Sequence, residues 1–246
     1  MIFTLIASLF AVLSGFSPEM SIDFARHLEN EKDYYRAITE YKRAYYELSD
    51  SGASRYLKDE VAYSIVRLSE KLKDYSTARF FLDRIQDKQS QNFKFQEGLW
   101  YFLQENYEEA RKKWGFSDTL VAWTYLREQN FDKASYVFGI IRPAHRSPLL
   151  ASFLSSLVPG LGKVYAGRAY DGLYSFIINA GSFYLAYDAY KNNRKPEVYL
   201  YSAMFIFFYS GNVYGSWIAA REYNRYHIKL AITEKEISLG LWQLLP

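Results

Sequence analysis

A chain of 246 residues with 30 Lys and Arg, 27 Asp and Glu, a formal net charge of +3 and no cysteine has room for two modest domains. The missing cysteine excludes a disulfide framework, a thiol nucleophile and a thiolate metal site. The near-balanced charge lacks the clustered excess of Lys and Arg that a nucleic-acid footprint needs, so no nucleic acid is expected as a partner.

The mean hydropathy of −0.24 averages two unlike halves. Residues 1–146 hold 21 basic and 21 acidic side chains, whereas residues 147–246 hold 9 and 6. The first part predicts a charge-dense solvated surface, and the second an apolar region with basic flanks. The 24 Tyr, 18 Phe and 5 Trp suit helix packing and membrane–water interfaces alike.

Residues 1–18 carry no charge, and their apolar centre at 2–13 is shorter than the roughly 20 residues a spanning helix needs. Small residues at Ser14, Gly15 and Ser17 suit a cleavage point, so residues 1–17 read as a secretory signal. A basic segment ahead of the apolar run is missing, which leaves an uncleaved anchor and a cytosolic hydrophobic lead as alternatives. A cleaved signal places the adjoining region, from residue 18, outside the cytoplasm.

Residues 18–142 show a recurring pattern of an aromatic residue, two others, then Ala: Tyr34 with Ala37, Tyr75 with Ala78, Tyr107 with Ala110, and Phe131 with Ala134. In the first, Tyr34, Ala37, Ile38, Tyr41 and Ala44 share one helical face that must be buried, with the small Ala at a close helix crossing. Each pattern is expected at a helix–turn–helix junction. Tyr45, Tyr46, Tyr63, Trp100 and Trp123 suit a concave binding surface, although at helical spacing they fit the core better.

These residues resemble the tetratricopeptide repeat family, in which a Gly-Asp-Tyr-x-x-Ala-like signature opens the second helix and the period is about 34 residues. The departures are Lys32, Lys73, Glu105 and Gln129, or their neighbours, in place of the turn Gly, and Ala-to-Ala intervals of 41, 32 and 24 residues, which call for an insertion near residues 49–55 and a shortened repeat near Gly115. The resemblance implies an α-solenoid that binds a protein partner on its concave side.

Three apolar stretches come next in the chain. Residues 147–162 are uncharged but interrupted by Pro159, Gly160 and Gly162, which predicts an interfacial or re-entrant helix and not a straight span. Spans are expected at about 171–190 and 198–220, joined by the polar turn at 191–197 into an antiparallel pair. Gly211 and Gly215 form a small-xxx-small face suited to another helix, including one from a second copy, and Asn212 is expected to hydrogen-bond to Asn179. The segment is similar to bacterial two-helix membrane domains that carry a Pro-Gly-x-Gly-Gln-x-Tyr-x-Gly motif behind tetratricopeptide-like repeats in envelope proteins of unassigned function. The matching residues are Pro159, Gly160, Gly162, Tyr165, Gly167, Arg168, Gly172, Asn179, Gly211, Asn212, Tyr214 and Gly215, and Lys163 stands where that pattern has Gln.

Orientation carries a conflict. Basic residues outside the hairpin (Arg142, Arg146, Lys163, Arg168, Arg221, Arg225 and Lys229) outnumber Lys191, Arg194 and Lys195 in its turn, which favours cytoplasmic repeats. A signal sequence favours the opposite, and that reading is preferred because the short turn is itself basic but for Glu197.

No phosphate-binding loop, zinc-protease helix or serine-nucleophile elbow occurs. His27, His145 and His227 lack metal-ligand spacing, so no catalytic residue, cofactor or metal is expected. The sequence therefore predicts an all-α protein: a signal at 1–17, a tetratricopeptide-like solenoid at 18–142, a two-helix membrane domain at 143–230 and a tail at 231–246. The function expected is that of a non-enzymatic adaptor in the bacterial inner membrane with its repeats in the periplasm. The alternative is an oligomeric bundle that moves an ion or lipid.

Overall fold

The computed structural model describes residues 17–48 and 52–246, and every regular element among them is helical. The expected signal, apart from Ser17, lies outside the described residues, as does part of the 49–55 insertion. The chain divides into two compact units: Met1–Gly139 together with Gly240–Pro246, and Ile140–Leu239.

The first unit contains α1 (Pro18–Asn30), α2 (Tyr34–Glu47), α3 (Gly52–Lys71), α4 (Tyr75–Leu82), α5 (Gln91–Leu103), α6 (Tyr107–Lys113), α7 (Asp118–Arg127) and α8 (Phe131–Phe138). Each packs on the next, and α3 also touches α5. Four of the joints share one geometry. Lys32, Lys73, Glu105 and Gln129 adopt left-handed φ values of 64°, 59°, 61° and 61°. In each, the amide of the residue after this one donates back to a carbonyl five residues earlier, as Asp33 does to Leu28 at 2.9 Å and Asp74 to Ser69 at 2.8 Å. This closes a helix end whose carbonyls would otherwise lack donors.

That same residue, Asp33, Asp74, Asn106 or Asn130, also caps the following helix, its side chain accepting the backbone N–H three residues on. One residue thus reverses the chain and its neighbour restarts the helix. The aromatic that follows is half-buried in all four cases, and Ala37, Ala78, Ala110 and Ala134 are all fully buried.

The core of this unit runs from Ile22 and Leu28 through Val61, Ile65 and Leu68 to Phe81, Leu82, Ile85 and Phe93. Beyond it Trp114 stacks on Trp123 with ring centres 5.9 Å apart, and Phe102 lies 4.0 Å from Trp123. Gly98 makes room for this: a Cβ there would sit 2.2 Å from Nε1 of Trp114, which donates to the Phe95 carbonyl at 2.9 Å. Tyr45 and Trp123 are core residues, Tyr63 and Trp100 are half-buried, and Tyr46 stays exposed. The residues 240–246 also belong to this unit: a 3₁₀ turn at Leu241–Leu244 buries Leu241.

The second unit contains α9 (Pro148–Leu157), α10 (Leu161–Tyr165), α11 (Ala169–Lys191) and α12 (Lys195–Ser238). The expected break at Pro159 and Gly160 separates α9 from α10. Residues 171–190 and 198–220 are helical as expected, and the joint between α11 and α12 repeats the left-handed turn, with Asn193 at φ 53° and Arg194 donating to the Ala189 carbonyl at 3.0 Å. The expected tail at 231–246 is different: α12 continues unbroken to Ser238, and only the segment from Gly240 leaves it.

Among the described residues no helix is long and apolar enough to cross a membrane. Length is not what falls short, since α11 has 23 residues and α12 has 44. Their apolarity is diluted by many tyrosines and by Ser175, Asn179, Ser182, Asn212 and Ser216, all of which are buried.

Candidate functional site

The second unit reverses the usual arrangement of polarity. The buried positions of α11 are Gly172, Ser175, Asn179, Ser182 and Ala189, and those of α12 include Asn212, Ser216, Ala219 and Ala220. Facing outward are Leu173, Phe176, Ile177, Phe183, Ile206 and Phe207, the last 75% exposed. A water-facing helix pair normally buries the second set and exposes the first.

The polar interior is built on the Pro-Gly-x-Gly turn. Gly160 has φ +89°, and a Cβ on it would lie 2.0 Å from the Gly172 carbonyl oxygen. At Gly162 a Cβ would lie 1.8 Å from the Ala151 carbonyl oxygen, and at Gly172 it would lie 2.6 Å from that of Gly160. These three glycines let the backbones of α9, the turn and α11 touch directly.

A helix start leaves its first amides without intrahelical acceptors, and at α10 two of them find side chains. Gly160 N–H donates to Oδ1 of Asn212 at 3.0 Å, and Gly162 N–H donates to Oγ of Ser155 at 2.9 Å. Asn212 also donates through Nδ2 to the Ser155 carbonyl at 3.3 Å. Ser216 donates to the Asn212 carbonyl at 2.9 Å, so the 2.7 Å contact between Ser155 and Ser216 is donated by Ser155. Every member of this chain is matched, and matched buried polar groups fix one geometry where unmatched ones would be costly.

A second clamp holds the entry to the unit. Asn224 accepts Arg146 N–H at 2.7 Å and donates to the Arg146 carbonyl at 2.9 Å, while Tyr165 Oη accepts Ser147 N–H at 3.1 Å. The Arg146 guanidinium lies over the rings of Tyr165 and Tyr223.

Several motif residues behave otherwise than expected. Asn212 and Asn179 do not bond to each other: Asn212 is committed to the turn, and Asn179 donates to the Ser175 carbonyl within its own helix at 2.8 Å. The buried Oδ1 of Asn179 has no partner. The two-glycine face is half used internally, since a Cβ on Gly215 would meet Cε of Lys163 at 3.3 Å, whereas Gly211 faces open space. Lys163, in place of the Gln of the similar motif, crosses Gly215 and donates to Ser175 Oγ at 2.6 Å. Tyr214 points outward, Gly167 forms a turn at φ +83°, and Arg168 pairs with Asp171 at the start of α11. Pro159 is half-buried at the turn.

Sequence reasoning missed Ser155, Ser175, Ser216 and Asn224. A usable signal was present in the i, i+4 pairs Ser175 with Asn179 and Asn212 with Ser216, which put polar residues on one face of each helix. Among the described residues no group of His, Asp and Glu side chains gathers in a way that holds a metal ion. His227 instead engages the Tyr223 carbonyl at 2.8 Å, and His27 lies 3.4 Å from Glu31.

No protein-family model, curated protein or solved structure matches the chain.

Proposed function

We propose that this protein is a non-enzymatic adaptor of the bacterial inner membrane, with α11 and α12 embedded in lipid as one hairpin and the α1–α8 unit acting as a tetratricopeptide-like solenoid that binds a protein partner. The observation that carries the reading is the reversed polarity of the second unit. Lipid accepts an apolar exterior, while backbone and side-chain polar groups inside must be satisfied by protein. Neither helix is apolar enough by itself, but the groups that lower its average face inward, where Ser155, Asn212 and Ser216 bond α9 to α12 and Lys163 of α10 bonds Ser175 of α11. The charged residues also suit this placement. Arg168 pairs with Asp171 at one end of α11, and Arg194 with Asp188 and Glu197 at the other. The charge-free run between Asp171 and Asp188 is about 24 Å of helix at 1.5 Å per residue. Exposed Tyr170 and Tyr190 flank it, and exposed Tyr174 and Tyr187 lie near its two ends, as interfacial aromatics do.

Vesicle flotation tests the anchor. The full chain is expected to float with phosphatidylethanolamine–phosphatidylglycerol vesicles and to stay bound in high salt. Combining Ile177→Lys with Phe207→Lys, both on the exposed face, should lower partitioning at least tenfold, because each lysine at mid-bilayer depth costs about 2.5–3.5 kcal/mol. A chain that remains in the aqueous fraction sinks the proposal.

The repeat unit is assigned to the periplasmic side. Protease added to intact spheroplasts should therefore degrade it, and complete protection would reverse the orientation.

A further inference from the structure

Within the first unit, α3 and α5 form a groove that the chain covers with its own residues. Glu70 from α3, Phe95, Gln96 and Leu99 from α5, and Gln243 and Leu244 from the 3₁₀ segment line a cavity of about 210 Å³. Leu241 anchors the segment and is 7% exposed. The fit is incomplete in one respect. Oε1 of Glu70 and Oε1 of Gln96 are buried without hydrogen-bond partners, although their residues are only 3% and 9% exposed. A groove that buried its natural occupant would be expected to satisfy such atoms.

Gly240, which joins the covering segment to the preceding helix, has φ +69° and open space where a Cβ would stand. Within the segment Trp242 remains 53% exposed. Its bonds are local, Gln243 N–H to the Gly240 carbonyl and Leu245 N–H to the Trp242 carbonyl.

We infer that the Leu241–Leu244 turn with its following residues is a tethered competitor for this groove, and that the external ligand is a short apolar segment of a partner protein whose backbone N–H groups reach Glu70 and Gln96. The chemistry is set by the occupant: leucines supply the apolar contact, and the orphaned acceptors call for donors that a locally bonded 3₁₀ turn withholds. This inference rests on the adaptor reading and names the regulation of its binding surface. Tethering at an effective concentration near the millimolar range would suppress a micromolar ligand by orders of magnitude until the segment is displaced.

The test uses the full chain in detergent and a fluorescent peptide of sequence Gly-Leu-Trp-Gln-Leu-Leu-Pro, copied from residues 240–246. Leu241→Asp with Leu244→Asp should release the segment and tighten peptide binding at least tenfold over the unaltered chain. Adding Gln96→Leu to that variant should weaken the peptide again by several-fold. Equal affinity for the unaltered and released chains overturns the proposal. So does absence of binding to a released variant that unfolds at the unaltered temperature, or indifference to Gln96→Leu. Should the double variant misfold, hydrogen exchange in the unaltered chain decides: excess peptide should change protection at residues 241–246 and in α5, and an unchanged pattern overturns the proposal. Vesicle flotation does not involve this groove, so a failed peptide result leaves the membrane anchor standing, and failed flotation leaves the groove standing.

Discussion

Gly162→Ala is expected to destabilise the second unit by about 3 kcal/mol or more, because its new methyl would overlap backbone and not a yielding side chain. A Cβ at Gly162 lies 1.8 Å from the Ala151 carbonyl oxygen and 2.7 Å from Ser155 Oγ. Relief requires α9 and α10 to separate, which breaks the Gly162 N–H bond to Ser155 and disturbs the link to Ser216. Overpacking costs about 1–3 kcal/mol, and a buried donor left unmatched adds about 1–3. Gly211→Ala is the matched control. Nothing lies within 4 Å of its Cβ position, and alanine is favoured over glycine inside a helix by about 1 kcal/mol. Unfolding of the full chain in detergent should therefore show opposite signs for the two substitutions. Equal effects would mean that the turn does not hold the unit together.

The second large effect is a pH dependence carried by Glu70. Burial pushes its carboxyl up to about 8 from the usual 4.5, and no neighbouring charge offsets this. Of the cations in the same groove, Arg67 on its own helix is paired with Glu29, and Lys71 lies at the end of that helix. Between pH 4.5 and 8 the folded state keeps a proton that the unfolded state has lost. Stability therefore falls as pH rises through this window, and the contribution is complete only below about 4.5. The loss is on the order of a few kcal/mol. Glu70→Gln should be near neutral at pH 5 and stabilising at pH 9, and it should flatten the curve between them. Urea unfolding at pH 5, 7 and 9 measures this, and parallel curves for both proteins would refute it.

How far the sequence carried depended on the range of the interaction. The four joints were legible because their signal is local: an aromatic residue with an alanine three positions on. Each alanine is fully buried as that spacing requires. Even the absence of glycine at Lys32, Lys73, Glu105 and Gln129 left the turn intact, since the left-handed conformation costs other residues only about 1–2 kcal/mol. The bond between Asn179 and Asn212 was misjudged because two asparagines in facing helices looked like partners. The free amides of a helix start made the stronger demand, and Asn212 answers it. The return of residues 240–246 to the first unit left no local trace at all, because no periodicity marks a contact between such distant parts of the chain. Apolarity was read along each helix, whereas the structure sorts it by face.

The single-residue joints have a further bearing on how this chain tolerates change in length. A turn closed by one left-handed residue and one back-bonded neighbour contains no slack: an added residue would break the back-bond from Asp33, Asp74, Asn106, Asn130 or Arg194 and rotate everything after it. Among the described residues, room for insertion lies in connections built differently, such as residues 142–145 ahead of α9. Tags, spectroscopic probes and engineered cleavage sites belong in those connections. Length variation among descendants of this sequence should collect there as well, leaving the joints as fixed punctuation.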